Sequence, residues 1–207
     1  DWEQAGKARE RLGFDELLKD VKVVYHCAAL ISLDDRDKNS LLKANKEGTA
    51  NLVNACIINK VEAFCFVSSI ATLQNKDIKT DVDEKVFWKT APDQSAYSLS
   101  KYLAEQEVWR GIEEGLNAVI VNPGVIVGPG NWNRGTGQLV SLSAKGIKFY
   151  TEGVTGFVGA IDVAGAMVAL VNKKIFGERF VLVENNYPFK YVLDKIHIEL
   201  CKSAPKI

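Results

Sequence analysis

Three short runs, Val21-Lys-Val-Val-Tyr-His-Cys27, Val61-Glu-Ala-Phe-Cys-Phe-Val67 and Ala118-Val-Ile-Val-Asn122, are apolar at nearly every position rather than at every second one. A strand with one wet face alternates, whereas a run that is apolar throughout must be covered on both faces, as in a parallel sheet between helices. Parallel neighbours also need long crossovers, and the intervening segments suit them. Residues 41–59 turn Leu41, Leu52, Val53, Cys56 and Ile57 toward one side, and residues 95–114 read as a helix closed by Gly115. Further along, the spacing predicts helices over 138–146, 161–173 and 189–202 and a strand over Arg179-Phe-Val-Leu-Val183. The fold class is therefore α/β, with a doubly wound parallel sheet and a small substrate-side subdomain. Residues 1–130 form the core, 131–160 and 185–207 the substrate-side segments, and 161–184 returns to the core.

Composition narrows the function. The 207 residues, 47% of them hydrophobic, suffice for one sizeable core. Twenty-six basic and 26 acidic residues cancel and are interspersed, which leaves no electrostatic footprint for nucleic acid or an anionic membrane. No apolar stretch approaches the roughly 20 residues of a membrane helix. Cys27, Cys56, Cys65 and Cys201 form no C-x-x-C pair, and three of them sit in apolar runs, which fits a reducing, cytoplasmic setting. The expected partner is a small-molecule substrate.

In a doubly wound sheet ligands bind beyond the carboxyl ends of the strands, here His26-Cys27-Ala28-Ala29, Ser68-Ser69 and Asn122-Pro123-Gly124. Between them, Ser95-Ala-Tyr97-Ser-Leu-Ser-Lys101 places a tyrosine and a lysine four apart on one helix face. An ammonium beside a phenol favours the phenolate, so Lys101 is expected to draw the Tyr97 pKa down from its ordinary value near 10. A phenol tuned in this way can pass a proton to or from a substrate oxygen, and a hydroxyl from Ser69 or Ser68 can bind the same oxygen. The spacing alone is weak evidence, since Tyr191-Val-Leu-Asp-Lys195 repeats it. Position separates the two, because Tyr97 follows a strand ending in two serines. His26 reads as a satisfied core histidine.

Taken in order, these residues resemble the extended short-chain dehydrogenases/reductases, or NAD-dependent epimerase/dehydratase family. Val24-Tyr-His-Cys-Ala-Ala-Leu30 is similar to the loop after the family's fourth strand, and Asn45-Lys-Glu-Gly-Thr-Ala-Asn-Leu52 to the helix that follows. Val67-Ser-Ser69 resembles the catalytic serine strand, Tyr97 to Lys101 the active-site helix, and Asn122-Pro-Gly-Val-Ile-Val-Gly-Pro-Gly130 the next loop. Phe157-Val-Gly-Ala-Ile-Asp-Val-Ala164 is similar to the family's F-V-x-V-x-D-V-A segment, so the likeness spans residues 17 to 200.

The resemblance implies a Rossmann-like fold and NAD or NADP as cofactor. It implies Tyr97 as general acid/base, Lys101 as its pKa partner and a ribose ligand, and Ser69 as the substrate-oxygen donor, with Ser68 as the alternative. Cys27, Ala28, Ala29 and Ser68 would lie along the dinucleotide, and Pro123 and Val125 near the nicotinamide. Asn45 would be a structural or relay amide, or else a helix-start hydrogen bonder. A homodimer through the helices at 41–59 and 95–114 is also implied. The expected activity is hydride transfer at a hydroxyl or carbonyl carbon, in the manner of the dihydroflavonol-4-reductase-like members. A nucleotide-sugar epimerase/dehydratase of the same family, or a non-catalytic dinucleotide-binding module, is the alternative. The epimerases usually carry an arginine just before the equivalent of Phe157, where Thr155 and Gly156 stand here, although Arg134 could still meet a phosphate.

Gly153, Gly156 and Gly159, spaced G-x-x-G-x-x-G, invite comparison with the pyrophosphate cradle of such folds. Lys148 interrupts the strand that would precede them, and the helix-start signal Asp162 follows the third glycine. A turn beside the substrate cleft is the expectation instead. Residues 1–5 resemble the tail of the family's third strand, so the glycine loop and first strands are expected in a longer polypeptide.

Overall fold

The computed structural model describes residues 13–32, 34–73, 82–89, 94–131, 135–145 and 153–201. It divides into two compact units, the first made of Asp1–Asn122 and Ala166–Val181 and the second of Pro123–Gly165 and Leu182–Ile207. Residues 123–130, read with the core from sequence, belong to the second unit.

The first unit opens with the short helix α1 (Phe14–Leu17) and strand β1 (Val23–His26). Helix α2 (Lys38–Leu41), a π-turn over Leu42–Glu47 and helix α3 (Gly48–Ile58) run on without a break. Strand β2 (Ala63–Val67), helix α4 (Ala96–Glu113) and strand β3 (Ala118–Pro123) follow. β1, β2 and β3 pair in parallel, Tyr25 opposite Cys65 and Cys65 opposite Val119. A later strand, β6 (Arg179–Leu182), lies beside β3, giving the order β1-β2-β3-β6.

The central strands explain their own composition. Phe64, Cys65 and Phe66 in β2 and Ala118 to Val121 in β3 are wholly buried, so both faces are covered at these central strands, whereas β1, expected to be buried like them, leaves Val23 and Tyr25 exposed at the end of the strand order. On one face Phe64, Phe66, Ala118 and Ile120 pack with Val53 and Cys56 of α3 and with Ala104 and Val108 of α4. Burial of a large side chain here is worth about 2–3 kcal/mol.

Helix α4 carries the candidate acid/base, and both its ends are fixed by local chemistry. Ser95 caps the start, its hydroxyl accepting from the Ser98 amide at 3.1 Å. Gly115 closes the end at φ 97°, with Gly115 N–H bonded to Ile112 O and Leu116 N–H to Gly111 O, a Schellman arrangement open to a residue without Cβ strain.

In the second unit β4 (Val125–Val127) pairs in parallel with β5 (Val154–Gly159), and β5 pairs antiparallel with β7 (Asn185–Pro188). Helices α5 (Thr136–Ala144) and α7 (Phe189–Cys201) belong to this unit, and α6 (Ala160–Asn172) begins in it. The three glycines are thereby corrected. Gly156 and Gly159 are strand residues of β5, not a turn, and α6 follows directly, with no loop to cradle a phosphate. Gly156 is there because strands approach closely: a Cβ would meet Val183 Cγ2 at 2.6 Å, and one on Gly124 would strike the Gly156 carbonyl oxygen. Lys148 and Arg134 lie outside the described residues.

Candidate active site

The groups described next belong to the first unit, except Pro123 and Val125. β2 ends at Val67, and Ser68 and Ser69 continue from its tip into a 3-10 turn over Ile70–Leu73. Successive residues of an extended chain face opposite ways, and the two serines do so. The Ser69 hydroxyl faces the Tyr97 phenol, near the start of α4, and draws its pKa down, while Ser69 Oγ accepts from the Ala71 amide at 3.1 Å. Ser68 is 4% exposed and donates instead to Glu105 Oε2 at 2.6 Å. Ser68, expected along the dinucleotide, thus has its hydroxyl turned into the core, and Ser69 is the serine that faces Tyr97.

Lys101, one turn beyond Tyr97, is 2% exposed, and its ammonium donates to the Val67 carbonyl at 2.7 Å and stands 4.4 Å from the centre of the Phe66 ring. Burial pushes its pKa down from 10.5 to about 8, against the pull of Glu105 and Cys27. The expected effect on the tyrosine is not seen. Burial holds the half-buried Tyr97 phenol above its ordinary range, and the nearby Ser69 hydroxyl recovers part of that shift. The physical reason is the ammonium's position against the end of β2, where it serves the strand carbonyl.

Cys27, Ala28 and Ala29 follow β1, with the first two exposed. Burial raises the Cys27 thiol pKa, opposed by the Lys101 charge. The loop is tied to the helices through Asn45, which sits in the π-turn. Asn45 Oδ1 accepts from Leu30 N–H at 2.7 Å, and its Nδ2 donates to Leu30 O at 3.0 Å and Ser100 Oγ at 2.9 Å. A π-turn of this kind marks functional positions in many helices. His26 is buried, bonds Thr49 Oγ1 at 2.9 Å and is held neutral, its pKa pushed down to about 3 mainly by burial. Pro123 ends β3 and Val125 opens β4, in the second unit.

A nicotinamide dinucleotide suits these residues on one test. Lys101 has three N–H donors, and among the described residues a single hydrogen bond, to Val67 O, leaves two for hydroxyl groups of a ligand. The small side chains of Ala28 and Ala29 leave the loop backbone open beside it.

Sequence reasoning missed a cluster beneath this surface. Glu105, 1% exposed, accepts from Ser68, Thr72, Asn122, Trp109 and Arg179. Arg179 in turn donates to the carbonyls of Glu84 and Val86. The signal was available: an acid four residues after Lys101, on the face that carries Ala104 and Val108, is a buried charge that requires partners. Among the described residues no group of three or more His, Cys, Asp or Glu side chains could hold a metal, and no helix is long and apolar enough to cross a membrane.

A parallel sheet wrapped by helices, with a tyrosine-lysine helix opposite a serine at a strand tip, defines a Rossmann-like domain of the dehydrogenase/reductase type. The chain belongs to the extended short-chain dehydrogenase/reductase, or NAD-dependent epimerase/dehydratase, family: the NAD-binding family described as Male sterility protein matches residues 9–176. It is 28% identical over 181 residues to sterol demethylase protein B of Methylococcus capsulatus, an alignment covering 86% of this chain and 54% of the relative. A dihydroflavonol 4-reductase of Medicago sativa is 28% identical over 139 residues, 58% of this chain and 60% of the relative. The crystal structure of gox2253 aligns at a TM-score of 0.80 and 32% identity, covering 93% of this chain and 59% of that one. The chain thus spans little more than half the length of these relatives.

Proposed function

We propose that this chain carries the acid/base residues of an NAD(P)-dependent oxidoreductase acting at a carbon that bears a hydroxyl or carbonyl. The observation behind the reading is the Tyr97 hydroxyl facing Ser69 beyond the tip of β2, with the Lys101 ammonium buried one helical turn on. The bound nicotinamide would supply or take the hydride. Lys101 would hold it through its two spare N–H donors, with Cys27, Ala28 and Ala29 alongside. Tyr97 would give its proton to a carbonyl oxygen in reduction and take one from a hydroxyl in oxidation. Ser69 would donate the second hydrogen bond to that oxygen as it gains charge.

Relatives that include a dihydroflavonol 4-reductase and a decarboxylating sterol-4-alpha-carboxylate 3-dehydrogenase from Schizosaccharomyces pombe support a polycyclic hydroxyl or carbonyl compound as substrate. The epimerase reading is weaker on a steric ground. The position before Phe157 is Gly156, whose Cβ would run into Val183, so this backbone leaves no room for the arginine expected of epimerases. The non-catalytic reading has no use for a buried ammonium one helical turn from a phenol that faces a serine. The free thiols Cys27, Cys56 and Cys65 fit the cytoplasm, and pairing through α3 and α4 would make a homodimer.

The test uses the protein as the organism makes it, with NADPH or NADH and a dihydroflavonol, or NAD⁺ and a 3-hydroxysteroid. Tyr97→Phe should keep cofactor binding and lose about 10³-fold in turnover, within the range of lost acid/base catalysis. Equal turnover in wild type and variant overturns the assignment.

A further inference from the structure

Tyr97 can work only if Ser69 stays where it is, and Ser69 stands directly before the short 3-10 turn Ile70–Leu73. What holds that turn is a set of hydrogen bonds that converge on one carboxylate. Ser68 Oγ donates to Glu105 Oε2 at 2.6 Å. Thr72 Oγ1 lies 3.0 Å from the same oxygen and 2.9 Å from the Ser69 carbonyl. Asn122 Nδ2 reaches Glu105 Oε2 at 3.0 Å, Thr72 Oγ1 at 2.9 Å and the Ser69 carbonyl at 3.2 Å. The backbone on both sides of the Ser68 side chain is thereby pinned, since Lys101 already holds the Val67 carbonyl.

The proton inventory shows why the centre has to be a carboxylate. Ser68 and Thr72 bring one hydroxyl proton each and Asn122 two amide protons, and these four serve one carboxylate oxygen, one carbonyl and one hydroxyl. The other oxygen, Oε1, faces two more donors, Trp109 Nε1 at 3.3 Å and Arg179 Nη1 at 3.2 Å. Glu105 is thus surrounded by donors on both sides. An amide in its place would aim an N–H at one group of donors or the other, leaving buried polar groups facing each other.

We infer that Glu105 is the positioning residue of the site: by accepting from Ser68, Thr72 and Asn122 it fixes the turn that holds the Ser69 hydroxyl against Tyr97. This rests on the proposed role of Tyr97 and Ser69. Glu105 touches neither substrate nor cofactor, and apart from its pull on the Lys101 ammonium it acts through Ser69.

The test is a double-mutant cycle in the protein as the organism makes it, with the turnover assay above. Glu105→Gln should lower kcat about 30-fold while the KM for the nicotinamide cofactor stays within about 2-fold, because the residue acts on the turn and not on the ligand. In a Ser69→Ala background the same change should cost no more than about 2-fold, since the group it positions is already gone. A merely structural role would make the two losses multiply, and either that result or an unchanged kcat overturns the inference. Should Glu105→Gln not fold, Ser68→Ala removes one donor and leaves the carboxylate in place. It should lower kcat about 5-fold alone and leave the Ser69→Ala protein unchanged, and equal losses in both backgrounds reject the idea. Tyr97→Phe in the same series separates the two levels: normal turnover there sinks the proposed function itself, whereas an inactive Tyr97→Phe with additive Glu105 and Ser69 effects sinks only the role of Glu105.

Discussion

The chain contains the same two residues at the same spacing twice, Tyr97 with Lys101 on α4 and Tyr191 with Lys195 on α7, and their surroundings make them different objects. Lys101 is 2% exposed, bonded to a strand carbonyl and held near pKa 8 by burial. Lys195 is exposed and lies 5.7 Å from the centre of the Tyr191 ring, a surface cation-π contact. Tyr97 is half-buried and faces a serine just beyond a strand tip, whereas Tyr191 is 47% exposed and stacks on Tyr187 at 5.4 Å. Four-residue spacing guarantees only a shared helix face. Chemistry comes from the serine, the strand end and the burial that accompany one pair and not the other.

Changes that convert the first pair into something like the second should show this, and the largest effect is expected at the lysine. Lys101→Met keeps the volume but removes the donors, and turnover should fall about 10³-fold with weaker cofactor binding. The same variant should melt higher than wild type at neutral pH, because a buried charge with few partners is a cost that an apolar isostere removes. Since the folded pKa of Lys101 lies below its unfolded one, that cost is present in full below about pH 8 and fades as pH rises from about 8 to 10.5. The gap between variant and wild type should therefore close over that window, and a gap that stays constant would count against burial as the cause. Ser69→Ala leaves Tyr97 and Lys101 in place but takes the hydroxyl from the strand tip, and kcat should drop about 10²-fold. An undiminished kcat would show that the serine is not what distinguishes the two tyrosines.

A smaller effect concerns His26, at the end of β1. Its folded pKa of about 3 lies below the unfolded 6.5, so the unfolded chain binds the proton first and stability declines as pH falls through that interval. This one group should contribute a slope of at most about 1.4 kcal/mol per pH unit. His26→Gln removes the titration, and denaturant unfolding at several pH values should show a flatter profile. An identical slope would mean that His26 is not buried neutral.

How much of this was legible in the sequence follows the same divide between spacing and surroundings. β2, β3 and α4 were readable because continuous apolar runs and a serine-to-glycine helix frame depend on local chemistry. The second sheet was not, since Val154-Thr-Gly-Phe-Val-Gly159 and Asn185-Asn-Tyr-Pro188 are glycine-bearing or polar segments made into strands by pairing with each other. The choice between Ser68 and Ser69 needed Glu105, and Glu105 needed partners drawn from Ser68 to Arg179 along the chain. Lys101's failure to depress the Tyr97 pKa was likewise invisible, because it depends on the ammonium reaching the Val67 carbonyl.

The most direct trial is to measure kcat for Tyr97→Phe and Tyr191→Phe side by side, with cofactor binding as the control. Tyr97→Phe should bind cofactor and be nearly inactive, about 10³-fold down, while Tyr191→Phe should match wild type. Equal activity in the two variants, or a larger loss at Tyr191, would contradict the claim that burial and the Ser69 contact make Tyr97 the acid.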